Sequence, residues 1–362
     1  MSLRDIGRHI GQLAIVGFDG HVVPADLKAL AKEFDLAGVI FFARNVAEPA
    51  QVAELSRESK ELARELPLWV SVDQEGGRVA RFRRPFTEWP PMIALGRSGD
   101  EGLAERFALA LAAELKAVGI NLDYTPVLDV FTNPKNTVIG DRAFSERAEE
   151  VSRFGRVVIR VLQENGIAAC GKHFPGHGDT IADSHHELPL VEHGPDRIRR
   201  VELLPFKAAI EEKVAAIMTA HVLVPAFDEE KPATLAPSIV DGLLKRELGF
   251  DGPVLSDDLE MKAVASRYDI AEASVGAIAA GCDGLLLCGG SQERQATALE
   301  ALIRAVEQER LPLKRVEDAM ARQRRAKERF LAGRREEKQP PLADVLGRGE
   351  HQAIAEEMAR FL

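Results

Sequence analysis

IAACGKHFPGHGDTIADSHH, residues Ile167–His186, opens as a short apolar run and continues as a polar stretch rich in Gly and Pro. The run to Phe174 has strand length and few polar residues, as a strand buried on both faces requires. The remainder holds too much Gly, Pro and Asp for a helix, so a long loop is predicted after the strand. Working outward, runs of the same character recur at Leu13–Phe18, Gly38–Phe42, Leu68–Asp73, Asn121–Val130, Ala215–Val222, Pro253–Asp258 and Gly284–Cys288. Between them lie amphipathic stretches at Ala25–Phe34, Pro49–Glu65, Gly102–Val118, Glu146–Asn165, Pro195–Lys213, Ile239–Leu248 and Ile270–Gly281. Alternating strand and helix implies parallel strands covered by helices. Eight such units predict an α/β fold, a closed (β/α)8 TIM-like barrel in a single domain over residues 1–333. A doubly wound open sheet is the rival that periodicity does not separate. Residues 334–362 read as a charged, Pro-containing linker followed by a helix with apolar spacing at Ile354, Met358 and Leu362.

The chain has 362 residues, with 47 Lys and Arg against 57 Asp and Glu, a formal charge of 47 − 57 = −10. That balance argues against nucleic acid as the main partner, since phosphate contacts need clustered Lys and Arg. No apolar stretch reaches the roughly 18 residues of a membrane-spanning helix. The N-terminal residues lack a secretory pattern. The three cysteines, Cys170, Cys282 and Cys288, form no CxxC pair. A reduced, cytoplasmic setting is expected. No obligate protein partner is indicated.

Polar residues close several of the apolar runs. Asp73 does so within VDQEGGRV, Lys172 and His173 within CGKHFPGHGDT, His221 within MTAHV, and Asp257 and Asp258 within VLSDDLEM. In parallel α/β sheets these ends share one face, where active sites sit. Strand neighbours point to opposite sides. Only one of Asp257 and Asp258 is therefore expected to enter the site, the other capping a helix near Leu259. The loop after the fifth run is the second signal, because five of the nine histidines fall between His173 and His193. Asp183 and His185 stand two apart, so a carboxylate can hold one imidazole nitrogen and leave the other for chemistry. Alternatively, His173, His177, Asp183, His185 and His186 are candidate metal ligands. His177 and Asp179 are expected to shape the loop through local hydrogen bonds, and His186 to be exposed.

KHFPGHGDT followed by DSH, with VDQEGGRV before it and SDDLEM after it, resembles glycoside hydrolase family 3, and within it the single-domain β-N-acetylglucosaminidases. NLDYTPVLDV at Asn121–Val130, IGDRAFS at Ile139–Ser145 and MTAHV at Met218–Val222 extend the resemblance. It implies a TIM-like barrel, no cofactor, no metal, and a small carbohydrate or muropeptide substrate with terminal β-linked N-acetylglucosamine. By resemblance Asp257 is the nucleophile, His185 the general acid/base and Asp183 its partner. Asp73, Arg81, Arg142, Lys172 and His173 fall on positions that hold the sugar.

The implied roles agree with the chemistry of the residue types. Glycoside cleavage needs a proton for the leaving oxygen and negative charge beside the developing oxocarbenium ion. An imidazole supplies the first near neutral pH; a carboxylate supplies the second, and by attacking C1 retains configuration. Three rivals have distinct signatures: a family phosphorylase or β-glycosidase of other sugar specificity, a metal-dependent barrel hydrolase, and a sugar-binding protein without turnover.

Overall fold

The computed structural model describes residues 3–181, 188–332 and 340–362. Eight strands form a closed parallel barrel in chain order: β1 Ala14–Val16, β2 Gly38–Phe41, β3 Trp69–Val72, β4 Leu122–Asp123, β5 Ala168–Phe174, β6 Ala216–Thr219, β7 Val254–Asp258 and β8 Gly284–Leu287. Pairing of Ala14 with Leu285 and Val16 with Leu287 closes the ring. The predicted barrel is therefore present, and the open sheet is not.

The strands are short and buried on both sides, and their alternation divides the core in two. Ile15, Ile40, Trp69, Leu122, Ala168, Cys170, Ala216, Met218, Leu255 and Leu286 fill the barrel interior. Their neighbours Val16, Val39, Phe41, Val70, Val72, Ala169 and Leu287 face outward into the helical layer. Period two carries the interior set upward: Ser71 to Asp73, Cys170 to Lys172, Leu255 to Asp257. The polar residues at the C-terminal mouth are thus the next layer of the barrel filling.

Helices Ala25–Phe34, Pro49–Lys60, Glu101–Ala117, Ala148–Glu164, Leu204–Glu211, Ser238–Glu247, Ile270–Ala280 and Gln292–Glu307 surround the barrel. Helix Ala148–Glu164 shows the reason, burying Val151, Phe154, Val158 and Leu162 at three- and four-residue spacing. Helix Ile270–Ala280 starts at a capping box, with Asp269 accepting from Glu272 N and Glu272 accepting from Asp269 N. Among the described residues no helix is long and apolar enough to cross a membrane. The three cysteines are buried and unbridged.

Two boundaries differ from the sequence reading. The run Asn121–Val130 forms a regular strand only at Leu122–Asp123. Pro126 has no N–H for a ladder, and the chain continues beside β5 through Leu128 N donating to Lys172 O. The C-terminal helix, Gly349–Ala359, stops before Leu362, which is exposed; it lies on helix Glu101–Ala117 and buries Ala355 and Met358 in the outer core.

The N-terminal mouth of the barrel is stopped by helix Leu313–Phe330, where Gln323 accepts from Trp69 Nε1 and Lys327 Nζ donates to Gln12 Oε1 at 2.9 Å. Lys327 is fully buried, and burial outweighs the attraction of Asp35 to depress the amine to about 7. Between pH 7 and the ordinary lysine range the unfolded chain then binds a proton that the folded chain does not, so this group makes stability rise with pH. Lys327→Met should flatten that rise, measured as urea midpoints at pH 7 and 9.5; an unchanged slope would assign the burial cost elsewhere.

Candidate active site

A cavity of about 460 Å³ opens at the C-terminal mouth of the barrel. Asp73, Arg81, Arg142, Lys172, His173 and Asp257 all line it, together with Glu75, His177, Asp258, Arg44 and Phe42. Six residues singled out in sequence, spread over 185 positions (257 − 73 + 1), meet in one space. Asp183 and His185 lie outside the described residues, as does His186.

The floor is a network of ion pairs. Lys172 Nζ donates to Asp73 Oδ1 at 2.7 Å and pairs with Glu75 Oε1 at 2.6 Å. Arg142 grips Glu75 with two parallel bonds of 2.8 Å, and Arg81 Nη2 reaches Asp73 Oδ2 at 3.2 Å. Burial alone would raise Glu75, but Arg142 and Lys172 overcome it and hold the carboxyl well below its usual range. Asp73 is likewise lowered, against burial, by Lys172 and Arg81. The same carboxylates raise Lys172 and Arg142 against the pull of burial. All four groups therefore stay charged at neutral pH. Arg81 Nε is buried without a partner among the described residues, leaving a donor for a bound oxygen.

Asp129 holds the two histidines. Its Oδ2 lies 2.7 Å from His173 Nδ1, and its Oδ1 accepts from His177 N at 2.6 Å. A carboxylate at that distance accepts, so His173 Nδ1 carries a proton. His177 Nδ1 meets Thr180 Oγ1 at 2.7 Å. Burial depresses His177 to about 4, so its imidazole is neutral. Gly178 allows this turn, since a Cβ there would run into the Val130 carbonyl.

Asp257 and Asp258 both line the cavity, contrary to the alternation expected in sequence. The register of β7 on β8 shifts between Leu255 and Asp258, and such a bulge re-aims side chains. Nor does Asp258 cap a helix. Its Oδ1 accepts from Glu260 N and Cys288 N, tying the end of β7 to that of β8. Burial outweighs these bonds and lifts Asp258 to about 7. Asp257 Oδ1 accepts from Asp258 N at 2.8 Å, and no cation contacts it among the described residues. His221 is fully buried and does not line the cavity; its ring donates from Nε2 to the Asp258 carbonyl. It supports the Asp258 end of β7 from behind.

Sequence reading passed over Glu75 and Asp129. Glu75 stands two residues after Asp73, hence on the same face, and that spacing was a usable signal. Asp129 is one position short of the end of its run, and only its three-dimensional neighbours reveal its role. As for metal, one group of potential ligands occurs among the described residues: Asp179, His193 and Glu202, their ligand atoms within 4.8 Å of one another. Arg197 Nη2 bonds both carboxylates at 3.2 Å, so a cation already occupies the position an ion would take.

The model for the glycosyl hydrolase family 3 N-terminal domain matches residues 6–326. The chain belongs to glycosyl hydrolase family 3. It is 43% identical over 259 residues to a β-hexosaminidase of Thiobacillus denitrificans, covering 70% of this chain and 71% of that protein. To a β-hexosaminidase of Bordetella pertussis it is 40% identical, over 76% and 79% of the two chains. A family 3 β-N-acetylglucosaminidase from Paenibacillus sp. superposes with a TM-score of 0.94 at 42% identity, over 98% of this chain and 68% of that one. NagZ from Neisseria gonorrhoeae, solved with N-trifluoroacetyl-D-glucosamine, gives 0.79 at 32% identity over 98% of both chains. The family 3 chain is thus a glycoside hydrolase of the β-N-acetylhexosaminidase class.

Glu75→Gln tests the network. It removes the buried anion from a set of two cations and two anions and leaves Arg142 without its bidentate partner. The expected cost is about 3–5 kcal/mol of stability, as for breaking a buried pair, with a raised KM. Chemical denaturation and steady-state kinetics measure both; wild-type values would mean the network is not coupled.

Proposed function

We propose that the family 3 chain removes terminal β-linked N-acetylglucosamine with retention, through a covalent glycosyl-enzyme on Asp257. The carrying observation is the contrast between carboxylates: Asp73 and Glu75 are each matched by buried cations, while Asp257 meets none among the described residues. An ion-paired carboxylate is a poor nucleophile and a good positioner; an unpaired one facing the cavity can attack C1. The Asp258 amide orients it.

His185, with Asp183 as its partner, is the proposed general acid. It protonates the leaving oxygen as Asp257 attacks, then takes a proton from the water that releases the sugar. Lys172, Arg81, Arg142 and His173 present fixed hydrogen-bond donors and acceptors to the sugar's hydroxyls and 2-acetamido group, with Asp73 among the acceptors. A cavity of about 460 Å³ falls within the usual range for small ligands. The relatives named β-hexosaminidase and the complex of N. gonorrhoeae NagZ with an N-acylated glucosamine support an N-acetylhexosamine at this position. The proposed physiological substrate is a muropeptide fragment with N-acetylglucosamine at its non-reducing end, turned over in the cytoplasm during cell-wall recycling.

Asp257→Ala should lower kcat on an aryl β-N-acetylglucosaminide far more than tenfold while the fold survives. A loss below tenfold, about 1.4 kcal/mol, would reject the nucleophile. His185→Ala should harm natural disaccharides more than aryl glycosides with good leaving groups, and equal losses would reject the acid role. Turnover in phosphate and phosphate-free buffers should give the same product, free N-acetylglucosamine; a sugar phosphate would make the enzyme a phosphorylase. Activity should withstand EDTA.

A further inference from the structure

Glu114 lies on helix Glu101–Ala117, away from the cavity, and is 2% exposed. Its donors come from two segments remote in sequence. Thr87 N reaches Oε2 at 2.9 Å, and Thr87 Oγ1 reaches Oε1 at 2.6 Å. Gly347 N and His351 Nδ1 reach Oε1 at 2.9 and 2.7 Å. His351 Nε2 accepts from Arg348 Nε at 2.9 Å, so the ring's single proton sits on Nδ1 and is donated to Glu114. One buried carboxylate thus joins the C-terminal segment to Thr87.

Thr87 belongs to the excursion 73–91 between β3 and helix Ile93–Ser98, the same excursion that carries Asp73, Glu75 and Arg81. Its outgoing limb is the hairpin Gln74–Gly76 with Val79–Ala80; its returning limb is 85–91. The limbs are bound closely. Gly77 N donates to Trp89 O at 2.7 Å, and Gly76 lies against the Pro90 carbonyl with no space for a Cβ. Gln74 Oε1 accepts from Arg81 N and Phe82 N, while its amide donates to Phe82 O. Trp89 is buried edge-on to Phe107, 5.0 Å between centroids, and 6.4 Å from His351. Gly347, at φ +56°, lies so close to Pro85 that a Cβ would collide with the Pro85 carbonyl.

We propose that residues 340–362 are a positioning element of the sugar site: through Glu114 they fix the returning limb 85–91, and that limb fixes Glu75 and Arg81. The chain of contact is contiguous, from Gly347 and His351 through Glu114 to Thr87, from Trp89 to Gly77, and from Gln74 to Arg81. Glu75 and Arg81 sit on rigid supports only while the returning limb is held, because the hairpin itself has just two short strands. The charged tail is therefore a working part of the enzyme, with Glu114, Gly347 and His351 as positioning residues. This rests on the proposed function only in naming the ligand a sugar.

The test uses the full chain. Gly347→Ala pushes on Pro85, and Thr87→Val removes one donor to Glu114 while keeping the N–H. Arg106→Ala is the control, deleting the exposed pair with Glu357 that docks the same helix without touching Glu114. Gly347→Ala should raise KM for an aryl N-acetylglucosaminide about five- to twentyfold with kcat within about twofold, the signature of lost uniform binding. Thr87→Val should move KM the same way by less, and Arg106→Ala not at all, thermal melts being recorded for each. Wild-type KM in folded Gly347→Ala and Thr87→Val overturns the proposal; if Gly347→Ala does not fold, Thr87→Val alone decides. Amide exchange of residues 74–82 gives a readout independent of turnover. Faster exchange in the variants than in the Arg106→Ala control supports the proposal even if the wild type proves inactive on N-acetylglucosaminides, which would reject the proposed function instead. Equal exchange overturns it.

Discussion

Two anions, the half-buried Asp73 and the buried Glu75, and two buried cations, Lys172 and Arg142, neutralise one another at the mouth of the barrel, and the arrangement of the site depends on that balance. Removing such charges from water costs several kcal/mol each, regained only when geometry and hydrogen bonding are good. Bidentate Arg142–Glu75 contact meets that requirement. The consequence is order. Asp73 and Glu75 stand on one stretch that runs from the end of β3 into the hairpin, Lys172 on β5 and Arg142 in the short turn Gly140–Arg142, so three separate pieces of chain are locked in register by charge. Such a floor presents fixed dipoles to a neutral ligand such as a sugar and needs little reorganisation when the ligand arrives. It also isolates Asp257, whose negative charge has no cation to quench it among the described residues.

Much of this was legible in the chain. Short apolar runs with helical stretches between them specify a parallel α/β fold because each run is buried on both faces; eight of them pointed to a barrel, the closure itself came from β1 pairing with β8, and the interior alternation delivers Asp73, Lys172 and Asp257 to one layer. The pairing partners were less legible. Glu75 shares a face with Asp73, but its value lies in meeting Arg142, 67 residues away. Asp129 acquires its role only when β5 brings His173 and His177 beside it. Strict alternation failed at Asp257 and Asp258, since a bulge is an extra residue in the count and nothing in SDDLEM announces it. His221 misled for a different reason. It closes a strand as the others do, yet it turns to support the Asp258 carbonyl rather than the cavity. Strand ends nominate residues; partners assign them.

In the proposed mechanism, holding the sugar and transferring the proton fall to different pieces of chain. The groups proposed to hold the sugar stand on strands, on the hairpin anchored to β3 and in the turn Gly140–Arg142. The proposed acid, His185, is instead carried by the chain between Asp179 and His193. Those two residues are themselves in contact, His193 Nε2 on Asp179 Oδ2, and Arg197 joins Asp179 to the buried Glu202. The bases of the loop are therefore tied together and to the helix Pro195–Arg200 and the turn after it. At the near end, Asn133 and Asn136 donate to the carbonyls of Asp179 and His177. Burial raises Glu202, whereas the carboxylates of the floor are held below their ordinary range. A glycosidase of this kind asks two different things of its protein. The sugar ring must be held alike in both half-reactions, which suits a strand-borne network with neutralised charges. The proton donor must first give and then take a proton, which suits an imidazole, whose ordinary pKa lies near neutrality.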